Sequence, residues 1–169
     1  DLEPEFIAVE PNGRTAWVVD WTSHLRNLLD SPVELSAYRY GGGIGFRATA
    51  DWKADNTYVL TSQGKARDQA DGTSARWCDV RGWTETNPAG ILFLDHPANR
   101  AHPQPMRVWP SGMVGFFFEF CPIRHEAWTL EPGREYVLRY RLIVYEGQLA
   151  PETAQALWQQ YARSAETKP

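Results

Sequence analysis

Apolar and polar residues alternate with a period of two over most of this chain, the signature of strands that bury one face. "RTAWVVDWTSHLRNLL", from Arg14 to Leu29, predicts a long strand with Trp17, Val19 and Trp21 on one side and Asp20, Thr22 and His24 on the other. "SPVELSAYRY" predicts a second, and "GGGIGFRATA" a third that opens on three glycines. "NTYVLTS", "SARWCDVRG", "AGILFLD", "MRVW", "GMVGFFFEF" and "REYVLRYRLIVYEG" follow, separated by "DGT", "NPAG", "PSG" and "EPG", which are turn sequences. So many short strands at this spacing indicate an all-β sandwich or barrel. Only "PETAQALWQQYARSAE" has helical periodicity, with Pro151 in the first turn and Ala154, Leu157, Trp158 and Tyr161 as an apolar stripe. That stripe reads as core contact, one C-terminal helix capping the sheet.

A length of 169 residues suits one domain spanning residues 1–169. The formal charge of -4 and the lack of a Lys/Arg block argue against a nucleic-acid partner, which needs a basic patch. No stretch approaches the roughly 20 apolar residues of a spanning helix, and the most apolar run, "MVGFFFEFCPI", contains Glu119. The chain begins at Asp1 without Met or a signal peptide and reads as a processed or excised piece, so the compartment stays open between cytoplasm and periplasm or exterior. Cys78 and Cys121 sit beside aromatics, where free thiols behave as small buried apolar groups, and their separation makes no zinc knuckle.

Candidate chemistry concentrates in two places. The first is "LFLDHPANRAHPQPMRVW", where a proline-stiffened loop follows a buried strand. Asp95 can orient His96 or accept from hydroxyls, Asn99 can donate and accept, and Arg107 offers a planar fork. The same Asp-His-Pro also suits a plain turn cap, and His102 reads as exposed. The second is "FEFCPIRH". If Phe116, Phe118 and Phe120 face the core, Phe117, Glu119 and Cys121 share the other face, with Arg124 and His125 close by. A His and a Glu from neighbouring strands can act as an acid and base pair, or as a surface ion pair with a half-buried His.

Arg47, Lys65 and Arg67 bring positive charge near Trp52 and Trp77, and exposed indoles beside such groups fit carbohydrate. The triplet Gly41 to Gly43 leads into a strand rather than a helix, so it reads as a bulge or a close backbone approach, not a phosphate loop. His96 and His102 match no metal spacing. A two-histidine, one-carboxylate site would require His96, His125 and Glu119 or Asp95 to converge on folding, so no metal ligand and no cofactor is assigned. No Gly-x-Ser-x-Gly elbow is present.

The segments "YGGGIGFRATADW", "TSQGKARDQADGTSARWCDVRG", "GILFLDHPANRAHPQPMRVWP", "FFFEFCPIRHEAWTLEPGREYVLRYRLIVYEG" and "LWQQYA" resemble, in content and order, the bacterial family labelled PmoA or DUF6807, from about Arg14 to Ala162. The resemblance implies an antiparallel β-sandwich of the galactose-mutarotase or supersandwich kind, in bacteria that degrade plant polysaccharides. It carries over Arg47 after the glycine triplet, Lys65 after Ser62-x-Gly64, Trp77, Asp95-His96-Pro97-x-Asn99, and Arg124 with His125. Family members also carry an upstream His-Pro-His-His-Arg-Gly motif that this chain lacks, which implies a shortened member or the C-terminal portion of the family domain. The label, methane oxygenase, belongs to a membrane subunit whose spanning segments have no counterpart here.

Three readings follow. In the first, a sandwich protein binds or processes carbohydrate. His96 or His125 exchanges a proton, Glu119 or Asp95 complements it, and Arg47, Lys65, Trp77, Asn99, Arg107 and Arg124 hold the sugar. The second is a non-catalytic sugar-binding or assembly module, and the third a metal-dependent oxygenase in keeping with the label. An exposed sheet edge would offer a homodimer surface.

Overall fold

A computed structural model describes residues 2–9, 14–83 and 87–164. Eleven strands among these residues, β1 (Leu2–Val9), β2 (Arg14–Arg26), β3 (Val33–Leu35), β4 (Gly45–Arg47), β5 (Tyr58–Thr61), β6 (Trp77–Trp83), β7 (Pro88–Asp95), β8 (Met106–Val108), β9 (Phe117–Phe120), β10 (Trp128–Leu130) and β11 (Glu135–Glu146), pair antiparallel. A single turn of helix, α1 (Arg67–Ala70), lies between β5 and β6, and α2 (Pro151–Ser164) follows β11. The strands form a six-stranded sheet in the order β1-β2-β11-β7-β6-β5, a three-stranded sheet β4-β9-β8 and a pair β10-β3. The result is a sandwich-like all-β fold with a C-terminal helix.

Strand alternation sorts the side chains of the large sheet onto two faces. Cys78 and Val80 of β6, Phe93 of β7, and Leu138 and Tyr140 of β11 point to one side. There they pack against Met106, Val108, Phe118 and Phe120 from the inner face of the small sheet. Trp77, Leu92, Leu94, Ile143 and Tyr145 point to the other, where Leu149, Ala154 and Tyr161 close over them. Strands β6 and β7 are therefore covered on both sides, which explains the near-continuous apolar run "ILFL". Both cysteines are free and buried.

Several expected strands are shorter than their apolar pattern. The stretch from Pro32 to Arg47 contributes only β3 and β4, because Gly41 and Gly42 have φ of +98° and +90° and turn the chain away from sheet geometry. Gly43 is the close backbone approach: a Cβ there would lie 2.0 Å from the Phe120 carbonyl oxygen. The helix runs as expected to Ser164, and its expected last two positions, 165 and 166, lie outside the described residues. On β2, Trp17 and Trp21 do share a side, yet both are more than two-fifths exposed.

Candidate functional site

The outward face of the small sheet gathers most of the polar chemistry. Register places Gly45, Glu119 and Arg107 in one row and Arg47 beside Phe117 in the next, where Trp109 N–H donates to the Phe117 carbonyl. Odd-numbered positions on β4, β8 and β9 thus share this face, while Phe46, Phe118 and Val108 face inward. The glycine turn lies across it. Gly41 N–H donates to Glu119 Oε1 at 2.6 Å, and the Trp109 indole donates to the Tyr40 hydroxyl at 3.2 Å.

Four rings form a continuous row over this face. Tyr38 to Tyr40, Tyr40 to Phe117 and Phe117 to Trp109 have centroid separations of 5.7, 5.8 and 5.7 Å. Three arginines lie over it: Arg39 and Arg107 at 5.6 and 5.2 Å from the Tyr40 ring, and Arg47 at 4.7 Å from Trp109 and 5.2 Å from Phe117. Asp71, at the end of α1, anchors the row from below. It takes Arg107 at 2.7 Å, both terminal nitrogens of Arg124 at 3.1 Å, and the Val108 N–H at 3.1 Å.

These contacts set the electrostatics. Burial pushes the Glu119 carboxyl above its ordinary range, and the Gly41 and Cys121 hydrogen bonds do not cancel it. Hydrogen bonding to Arg107 and Trp109 lowers the Tyr40 hydroxyl from its usual 10.0. Burial alone would raise Asp71, but its bonds from Arg107, Val108 and Arg124 outweigh that and hold it low. A carboxyl shifted up and a phenol shifted down flank one turn, the pattern in which environments assign acid and base roles.

Of the residues singled out in the sequence, Arg47, Arg107, Glu119 and Arg124 meet here. His125 lies at the margin, exposed, with Nε2 3.0 Å from the Gly72 carbonyl. Arg67 props the site from behind: it is buried and donates to the carbonyls of Trp109, Gly115, Lys53 and Pro110.

Asp95, His96, Asn99 and Trp77 lie elsewhere: Trp77 and His96 pack toward α2, whereas Asp95 lies across from Tyr140 at the end of β7 and Asn99 follows in the loop. Asp95 is fully buried and accepts from Asn99 at 2.8 Å, from Gln104 N–H at 2.9 Å and lies 2.7 Å from His102 Nδ1. Asn99 also pairs with the Arg139 N–H and carbonyl, extending the β7–β11 ladder with a side chain. His96 Nδ1 accepts the Ala98 N–H, its ring packs edge-on to Tyr161, and burial followed by the Arg139 charge lowers its pKa. His102 is not exposed as expected, because its ring stacks on Trp158. Trp52 and Trp77 are core residues rather than exposed platforms, the Trp77 indole donating to Gln155 on α2. Lys65 sits in the turn after β5, its backbone tied to Thr61.

His96 and His125 therefore occupy separate environments, and the two-histidine, one-carboxylate set does not assemble. Among the described residues no three His, Cys, Asp or Glu side chains converge as metal ligands. Among them, too, no helix is long and apolar enough to cross a membrane. Tyr38, Arg39, Tyr40, Asp71 and Trp109 are the site residues that sequence reasoning missed. Trp109 could have been found by extending the alternation of β8 two positions past Arg107.

No curated protein and no solved structure matches the chain. Residues 3–159 match the family described as "Family of unknown function (DUF6807)". With nearly its whole length matched, the chain belongs to that DUF6807 family.

Proposed function

We propose that this protein binds carbohydrate on the outward face of the β4-β9-β8 sheet. The observation that carries the reading is the row Tyr38, Tyr40, Phe117, Trp109 with Arg39, Arg47 and Arg107 over it. Aromatic rings offer the apolar face a sugar ring stacks on, and guanidinium forks supply donors to its hydroxyls. The sandwich of galactose-mutarotase kind that the family resemblance implies is in keeping with it.

In a catalytic version Glu119 is the proton-transfer group, since its carboxyl is raised and lies on this face, with Tyr40 as its complement. The pairing of Asp95 with His96 is not favoured for that role, because both are committed to internal contacts. A non-catalytic module rests on the same platform and differs only in Glu119 serving to hold the Gly41 turn.

The test is a titration of intrinsic tryptophan fluorescence against neutral, acidic and keto sugars, repeated with Arg47→Ala and Glu119→Gln. Saturable binding that Arg47→Ala weakens about tenfold supports the platform. Product formation by the wild type that Glu119→Gln abolishes, with binding retained, assigns catalysis. Binding indifferent to Arg47→Ala, or none to any sugar, overturns the reading.

A further inference from the structure

A second constellation lies on the far side of the large sheet, away from the ring row. One register row there runs Tyr58 on β5, Arg81 on β6, Gly90 on β7 and Tyr145 on β11. Gly90 is the gap in that row: a Cβ would sit 2.4 Å from the end of the Tyr145 ring. Its absence lets the ring cross β7 and place its hydroxyl on Asp79 Oδ1.

The other oxygen of Asp79 lies 3.1 Å from Arg81 Nε, an ion pair in which the carboxylate is buried and the arginine side chain stays 22% exposed. The pair fixes the base of the Arg81 guanidinium, while the remainder of that side chain lines a cavity. Above the pair is a cleft of about 350 Å³, lined by Arg81 together with Tyr58, Trp83, Pro88 and Gln148. That volume is of the size that holds small ligands. Its two aromatic walls, Tyr58 and Trp83, are 54% and 48% exposed, although nothing about strand pairing requires large rings at those positions.

We propose that this cleft is a second binding site, for a small monocarboxylate that carries a ring. The guanidinium of Arg81 takes the carboxylate and Trp83 and Tyr58 take the face of the ring. Arg81 is the cleft's one cationic lining residue among those described, and Asp79 beneath it offsets its charge, so a single negative charge matches the site better than a phosphate dianion. Tyr145 and Asp79 are positioning residues, because they hold the Arg81 head and do not line the cleft. The site shares no residue with the outward face of the small sheet, so it stands or falls independently of the carbohydrate reading.

Calorimetric titration with D-glucuronate and with benzoate tests it, with D-glucose as the uncharged ring and inorganic phosphate as the ringless anion. Saturable binding of either carboxylate, at least tenfold tighter than both controls, is expected. Glucuronate alone would identify a sugar acid, benzoate alone an aromatic acid. Trp83→Ala, on an exposed side chain, should weaken binding several-fold and Arg81→Gln at least tenfold. Neither carboxylate binding, or binding that ignores Trp83→Ala and Arg81→Gln, overturns the proposal.

Discussion

Asp79 shows how one buried group can leave a mark on the whole stability profile. Burial raises its carboxyl from 3.8 to about 6, with the Tyr145 hydroxyl and Arg81 only partly offsetting the loss of water. Because the folded pKa lies above the unfolded one, the folded chain holds more protons between these values. The stability this group contributes is fully present below about pH 4 and is lost as pH rises through about 6. His96, with its pKa lowered by burial, acts in the opposite direction, since acid must charge it. Asp79→Asn separates the two: it removes the first effect, retains an acceptor for Tyr145 and leaves His96 untouched. We expect its stability relative to wild type to rise by on the order of 3 kcal/mol between about pH 4 and about pH 7, the free energy of the Asp79 shift. Urea unfolding of both proteins across that range measures it. A difference that stays flat with pH would mean that Asp79 titrates as an ordinary carboxyl.

At the scale of elements, the glycine turn ties β4 and β9 to the candidate site. Gly43 comes so close to Phe120 that a methyl group has nowhere to go, and the obstacle is backbone, which cannot swing aside. Gly43→Ala should push the turn off β9, weaken the Phe120 N–H bond to the Ile44 carbonyl and release Gly41 from Glu119. We expect a loss of about 3 kcal/mol in thermal or urea unfolding, against a change within about 0.5 kcal/mol for Gly112→Ala, which meets nothing within 4 Å. Equal effects of the two would remove the close approach as the reason for this glycine. The turn also marks where sequence reading succeeds and fails. Alternation on "FFEF" put Glu119 opposite Phe118, whereas the pairing that brings Arg47 and Arg107 to the same face is a matter of register between distant strands, which alternation does not specify. Tyr40 and Asp71 carry no such signal: one rides on a loop bent by two positive-φ glycines, the other ends a four-residue helix. The burial of His96 and Trp77 was illegible for a different reason. Both sit in or beside a strand whose second face is covered by α2, and that helix comes more than fifty residues later. The run "ILFL" signalled double burial, yet not which polar neighbours it would take inside.

Across the whole molecule, the large sheet is a shared wall between two apolar cores. Phe118 and Phe120 fill the side toward the small sheet, while Ala154 and Tyr161 of α2 fill the other. Strand β11 contributes Leu138 and Tyr140 to the first core and Ile143 and Tyr145 to the second, and it pairs with both β2 and β7. Loss of either core exposes one face of the same strands, so neither layer has an independent partner to remain folded against. Phe118→Ala should therefore cost about 3 to 5 kcal/mol, the usual range for emptying a large aromatic site. Tyr161→Ala should act in the same sense, and each should move one common transition. The measurement is urea unfolding followed both by far-ultraviolet circular dichroism, which reports the sheets, and by tryptophan fluorescence, which reports both cores. Coincident curves in the wild type and both variants are the expected outcome. Should Tyr161→Ala split the transition, with fluorescence changing before the sheet signal, α2 would be a separable cap, and His96 and Trp77 would become accessible without unfolding the sandwich. In that event their burial would describe one state of the protein, and the region under α2 would be a binding surface in the other.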